Sequence, residues 1–295
     1  ARFKTYVPST AEERATVDWT DVLNEIDQGI VQDFAPIGSP TGLVDNGKRL
    51  FARANAFPGD QQRASNWLVG PADSLDGFKN WVATPVAQRQ PFQLVTHDRR
   101  IQGATVASEG TYFGYDPNVS WMNPTRGLYL RSFYYFHRYG TGTSWENGPL
   151  VAITLTEMNL IKAEALIRLG RADEAVPLIN ESRVADGELP PVDINGPPDE
   201  PGCVPRKLDG ACGNLWDALR YEKRIEEAGV DGHVAYYDAR GWNTLAQNSF
   251  VELPIPGREL EIERRPLYTY GGGGDMSAPA PNWDACPVGV SVPGC

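Results

Sequence analysis

Glu222 and Glu226 stand one helical turn apart in the segment LRYEKRIEEAG, interleaved with Arg220 and Arg224. Paired carboxylates are the equipment of glycoside hydrolysis, where one protonates the leaving oxygen and the other activates water or attacks the sugar. That chemistry needs the two groups across a sugar, and this spacing sets them in file on one helix. Alternating charges so spaced lace together by i,i+4 pairing, so the expectation is an ion-pair network, solvated or closing the fold, and not an active site. His97, His137 and His233 are the only imidazoles, and His233, directly after Gly232, suits a turn-stabilising hydrogen bond better than a catalytic base. The four cysteines form two tight pairs, Cys203 with Cys212 and Cys286 with Cys295, each spanning a stretch with Pro and Gly. Local disulfides are expected; metal binding competes, but neither pair has CxxC spacing. Bridges of that kind would put the protein outside the reducing cytoplasm. With no nucleophile motif, metal-ligand cluster or phosphate loop in the sequence, neither catalysis nor a cofactor nor a metal is expected.

The other chemistry on offer is recognition by stacking. Planar aromatics cover sugar rings while Asn, Asp and Arg pair with hydroxyls. Trp67 and Trp81 flank a Pro/Gly segment, TYFGYDPNVSW carries Tyr112, Tyr115 and Trp121, Asn123 and Arg126 follow, and Trp145 lies in a Gly-rich loop. Such surroundings favour exposed loop positions, so these eight residues are the candidate ligand surface, with core filling as the competing role. LYLRSFYYFHRY, residues 128–139, is dense enough in apolar side chains to pack inward.

The elements that must carry these residues are mainly helical. DWTDVLNEIDQG, residues 18–29, suits an amphipathic helix ending at Gly29. Residues 33–151 break into short apolar pieces divided by Pro, Gly, Asn and Asp, which reads as a loop-rich region with few short helices and strands. TLTEMNLIKAEALIRLG opens with Thr154 and Glu157 in capping-box spacing, puts Leu155, Met158, Ile161, Ala165, Leu166 and Leu169 on one face, and stops at Gly170. RADEAVPLINESR follows without a linker and should fold back as an antiparallel hairpin, with Pro177 kinking it or shifting its start. A third helix covers residues 214–228, and the chain is largely coil after Gly257.

The formal charge of −11 and pI near 4.8, with no basic patch, argue against nucleic acid as a partner. No apolar run is long enough to cross a bilayer, and the chain begins with neither Met nor a signal segment, so a mature form or a fragment is expected.

The pair LTEMNLIKAEALIRLGRADEAVPLINESR looks like a tetratricopeptide hairpin, with small Ala163, Ala165 and Ala175 where helices approach closely. Followed by LWDALRYEKRIEEAGVDGHVAYYDARGW and LPIPGRELEI, it resembles the C-terminal signature of the SusD/RagB family of outer-surface glycan-binding proteins. The signature's charged helix falls on Arg220, Glu222, Arg224 and Glu226, its Gly-His turn on Gly232 and His233, its Asp-x-Arg-x-Trp segment on Asp238, Arg240 and Trp242, and its last turn on residues 253–256. The resemblance covers residues 154–270, and residues 10–29 are compatible with an earlier repeat. The family's leading helices and lipid-bearing N-terminal cysteine have no counterpart.

The resemblance implies a mostly α fold of tetratricopeptide-like hairpins with a large irregular region and few short strands. It implies one domain lacking the family's N-terminal part: residues 1–32 a helical remnant, 33–150 the ligand side, 151–270 the signature region, 271–295 a coil tail. It further implies a non-catalytic protein at the outer-membrane surface, or extracellular, with its lipid anchor on a missing portion. Such a protein would capture an oligosaccharide or related nutrient for a TonB-dependent SusC-like transporter. Competing expectations are a structural subunit of an extracellular assembly or filament, by self-association of repeat-type helices, and a glycan-active hydrolase.

Overall fold

A computed structural model describes residues 1–38, 63–118, 131–139, 148–149, 151–230, 234–245, 249, 255–267 and 283–295. Helices dominate. Three open the chain: α1 (Arg2–Tyr6), α2 (Ala11–Ala15) and α3 (Trp19–Asp27). Thr10 caps α2 by accepting from Glu13 N, and Asp18 caps α3 by accepting from Asp21 N, so the expected helix at 18–29 is present with Asp18 just outside it. Among the described residues of the loop-rich region are two short helices, α4 (Asn66–Val69) and α5 (Gly77–Ala83). Its strands form two small antiparallel pairs, β1 (Ile37–Gly38) with β4 (Gly148–Pro149) and β2 (Phe113–Tyr115) with β3 (Tyr134–Phe136).

Regular structure returns with α6 (Leu155–Arg168) and α7 (Ala172–Ala185), which pack along each other as a hairpin. Gly170 ends α6 as expected: at φ +74° it lets Arg171 N reach Leu166 O (2.8 Å) and Gly170 N reach Ile167 O (3.0 Å), which satisfies two end carbonyls. Three details differ from the sequence reading. Thr154 caps Glu157 N, but the Glu157 carboxylate bonds Arg2 and Tyr6, so the reciprocal half of a capping box is not made. Helix α6 is buried on nearly every side, including Leu160, Glu164 and Ile167, while Leu169 points outward. Pro177 lies inside α7, which starts at Ala172, so the proline does not shift the start of the helix.

Helix α8 (Leu215–Glu226) begins at a full capping box between Asn214 and Asp217, and all twelve of its residues are buried. Helices α9 (Val234–Gly241) and α10 (Gly257–Ile262) follow. Two apolar clusters flank α8. Leu215, Trp216, Ala218 and Leu219 join α3, α6 and α7 in one; Tyr221 and Ile225 join Leu94, Ile101, Phe113 and Tyr134 in the other. A helix serving two cores has no face left for water, which is why its charges had to find partners inside the protein.

The cysteines pair locally, Cys203 with Cys212 and Cys286 with Cys295, at Cα separations of 5.8 and 5.6 Å. Residues 283–295 are coil, yet they are docked. Leu208 N donates to Asp284 Oδ2 (3.0 Å), Arg220 donates to the Trp283 carbonyl (3.0 Å), Asn214 Nδ2 lies 3.3 Å from Cys295 Sγ, and Val292 is buried in the first cluster.

Candidate functional site

Within the charged helix Arg220 pairs with Asp217, three residues back, but the two glutamates are not laced to Arg220 or Arg224. Glu222 and Glu226 share one distant guanidinium: Arg100 Nη1 bonds Glu222 Oε2 at 2.6 Å and Glu226 Oε1 at 2.8 Å, while Arg100 Nη2 bonds Asp98 at 2.7 Å. Arg138 and the Tyr112 hydroxyl complete Glu226 at 2.9 and 3.1 Å, and Arg183 approaches Glu222 at 3.4 Å. The i,i+4 reading is therefore corrected, and so is the solvated alternative, because α8 has partners on every side. Burial pushes the Glu222 carboxyl up, against the pull of Arg100. With both carboxylates sealed and saturated, no sugar could be placed between them.

On the opposite side of α8, Lys223 joins a second network. Arg14 grips Glu164 through Nε (2.9 Å) and Nη2 (2.6 Å), and Nη2 also reaches Asp238 Oδ1 (2.8 Å). Lys223 Nζ bonds the same Asp238 oxygen at 2.9 Å, Trp242 Nε1 donates to Glu164 at 3.1 Å, and Arg168 adds a guanidinium at 2.9 Å. Burial works against ionisation of Glu164, but Arg14 and Arg168 outweigh it and hold its carboxyl far below the ordinary range. Arg240 is placed differently from Asp238. It is half-buried and donates to the carbonyls of Tyr6 and Val7, which fastens α1 to α9. Beside this network Thr154 accepts from Glu157 N and donates to Glu227 Oε1 (3.1 Å), bringing two buried carboxyls together. Burial, then the Glu157 charge, push Glu227 well up.

The expected ligand aromatics divide. Trp81 is 4% exposed and Tyr112 is 6% exposed with its hydroxyl committed to Glu226, so both are core residues and not ligand platforms. Their loop-like neighbours in sequence concealed long-range packing. Trp67 is half-buried, edge-on to Phe78 and Trp81 with ring centroids 5.6 Å away in each case, and its ring centroid is 4.8 Å from that of Trp283. Tyr115 is half-buried against Phe133 and Tyr134. Trp121, Asn123, Arg126, Trp145, Gly232, His233 and residues 251–254 lie outside the described residues.

Two concavities among the described residues bear on binding. A cleft of about 590 Å³ runs along residues 191–199 and 211–213, with Asp193, Asn195 and Asp199 as its polar groups. None of the described residues lining it is aromatic or cationic. A much smaller recess of about 20 Å³ sits between the 205–207 loop, α8 and the tail, lined by Arg206, Lys207, Arg220, Arg224, Trp283 and Asp284 among others. Arg224 lies over the Trp283 ring at 4.1 Å and donates to Thr244 Oγ1 at 2.9 Å. Burial, then Arg220, push its pKa down to about 9. Trp283 was missed by sequence reasoning because it lies in an apparent coil tail. The nearby Cys286–Cys295 bridge was the one signal that this tail is held in place.

Comparison with protein-family models, curated proteins and solved structures gave no match. The two disulfides fit an oxidising, extracytoplasmic compartment. Among the described residues no helix is long and apolar enough to cross a membrane.

Proposed function

We propose that this chain is a non-catalytic binding protein of the SusD/RagB type. In this reading it stands at the outer-membrane surface, captures an oligosaccharide or related nutrient, and passes it to a TonB-dependent SusC-like transporter. One observation carries the proposal: the signature's separated motifs converge on one buried network, with Lys223 of the charged helix bonded to Asp238 of the Asp-x-Arg-x-Trp segment, and Trp242 bonded through Glu164 to Arg14. A motif that serves as scaffold, with its acids neutralised internally, suits a protein whose work is recognition. The α6–α7 hairpin, close-packed at Ala163, Ala165 and Ala175, supports its reading as a tetratricopeptide-like unit. The half-buried Trp67 and Tyr115 remain the described aromatics best suited to a sugar ring. Isothermal titration of the full chain against a panel of neutral oligosaccharides tests the reading: saturable heat with at least one member is expected, and silence across the panel counts against glycan capture.

A second reading, a subunit of an extracellular assembly, draws on four large apolar side chains near the N-terminus, Phe3, Val7, Val31 and Phe34, all strongly exposed. Light scattering after size exclusion separates the two, since a strict monomer at high concentration leaves assembly without support.

A further inference from the structure

Five arginines are buried among the described residues: Arg14, Arg100, Arg183, Arg220 and Arg224. Four of them have a carboxylate within salt-bridge distance, namely Glu164 for Arg14, Glu222 for Arg100 and Arg183, and Asp217 for Arg220. Arg224 is the exception. A guanidinium has five N–H donors. That of Arg224 makes one hydrogen bond, from Nη2 to Thr244 Oγ1, and lies against the Trp283 ring. The acids whose fields reach it, Asp238 and Asp217, are bonded elsewhere, Asp238 to Arg14 and Lys223 and Asp217 to Arg220 and the Asn214 backbone. Arg224 lines the recess together with Arg206, Arg220 and Lys207, the last 3.6 Å from Asp217, and with the carboxylates of Asp217 and Asp284, so cations outnumber acids there by four to two. A buried cation without a counter-charge is costly, and the depressed pKa of Arg224 expresses that cost. An entering anion would remove it, and a guanidinium favours oxyanions, which accept two N–H bonds at once.

We propose that the recess at Arg224 is a binding site for a single small oxyanionic group, a carboxylate or a sulfate. The anion accepts from the open face of the Arg224 guanidinium while Thr244 and Trp283 hold that guanidinium in orientation. The recess of about 20 Å³ is too small for a sugar ring, so the anion sits at its mouth against Arg224 and a larger ligand would reach it by an acidic substituent alone. The site is independent of the glycan reading, since free acetate or sulfate suffices to fill it. If that reading also holds, the site would favour polymers bearing uronic acids or sulfate esters over neutral ones.

The test titrates sodium acetate, sodium sulfate and sodium glucuronate into the full chain, with ionic strength held constant by sodium chloride. Heat and Trp fluorescence are both followed, because Trp283 lies against the binding group. Saturable binding is expected, weakened at least tenfold in Arg224→Gln and several-fold in Lys207→Gln. Lys207 is only half-buried and its ammonium stands 3.6 Å from Asp217, a looser pairing than those of the buried arginines, so its variant keeps the test alive if Arg224→Gln does not fold. Glucuronate equal to acetate assigns the affinity to the anion alone, and glucuronate tighter than acetate adds a sugar contact beyond the recess; either outcome supports the site. A linear response to all three salts, or saturable binding unchanged in Lys207→Gln and in any folded Arg224 variant, overturns it. A neutral oligosaccharide panel run alongside reports on the glycan reading separately.

Discussion

Lys223 Nζ and Asp238 Oδ1 lie 2.9 Å apart, and neither side chain is more than 1% exposed. This bond joins α8 to α9, and the same carboxylate oxygen also takes Arg14 from α2. Asp238→Ala would leave two cations buried with too little negative charge, which should cost about 3–5 kcal/mol. Chemical denaturation of the two proteins measures it, and a loss below about 1 kcal/mol would mean that water or rearrangement rescues the network. Ligand affinity of the folded fraction should not change. Arg240→Ala should cost less, because Arg240 is half-buried and its carbonyl partners at Tyr6 and Val7 can turn to water.

Glu227 gives the pH prediction. Burial and the Glu157 charge hold its carboxyl well above the ordinary value of 4.5, so the folded protein keeps a proton that the unfolded chain releases. Its contribution to stability is fully present below the unfolded value and is lost as pH rises through the folded one. Glu227→Gln fixes the neutral form. Its melting temperature should match the parent at about pH 4 and exceed it at about pH 8. A constant difference between the two proteins across that range would show that Glu227 titrates alike in the folded and unfolded chain.

Each disulfide closes a span of nine residues, so each should contribute about 2–3 kcal/mol by restricting the unfolded chain. Replacing either pair by serine should lower stability by no more than that and leave a folded protein by circular dichroism. Non-reducing peptide mapping should recover Cys203 linked to Cys212 and Cys286 linked to Cys295. A peptide crossing between the pairs, or four free thiols in native protein, would contradict the structure and the oxidising compartment with it.

Asn214 stands at the meeting point of both bridges, two positions after Cys212 and within 3.6 Å of both Cys286 and Cys295 sulfurs. It also caps α8, accepting from Asp217 N at 2.9 Å. Asn214→Ala should cost about 1–2 kcal/mol, the cost of an orphaned helix-end donor. Asn214→Asp should recover most of that, since the cap needs only the side-chain oxygen; equal losses in the two variants would assign the effect to tail packing instead.

Helix limits were legible in the sequence because they are local. Thr154, Gly170 and Asp18 satisfy backbone groups three to five residues away, and the cysteines pair across nine. What was not legible lies far apart in the chain. Arg100 finds Glu222 across 122 positions, and nothing about Glu222, Arg220, Arg224 and Glu226 on one helix distinguishes a solvated charged face from a buried one. The same limit misassigned Trp81 and Tyr112. Their Gly- and Pro-rich neighbours describe the backbone, whereas burial is decided by distant segments such as the one that brings Glu226 to the Tyr112 hydroxyl.

Arg14 bonds partners 150 and 224 positions away, at Glu164 and Asp238. A ribosome makes Arg14 first and Asp238 last, so most of the chain has emerged before that guanidinium can be neutralised. Closure at this point waits for the end of synthesis, and contacts of such separation form slowly even in a finished chain.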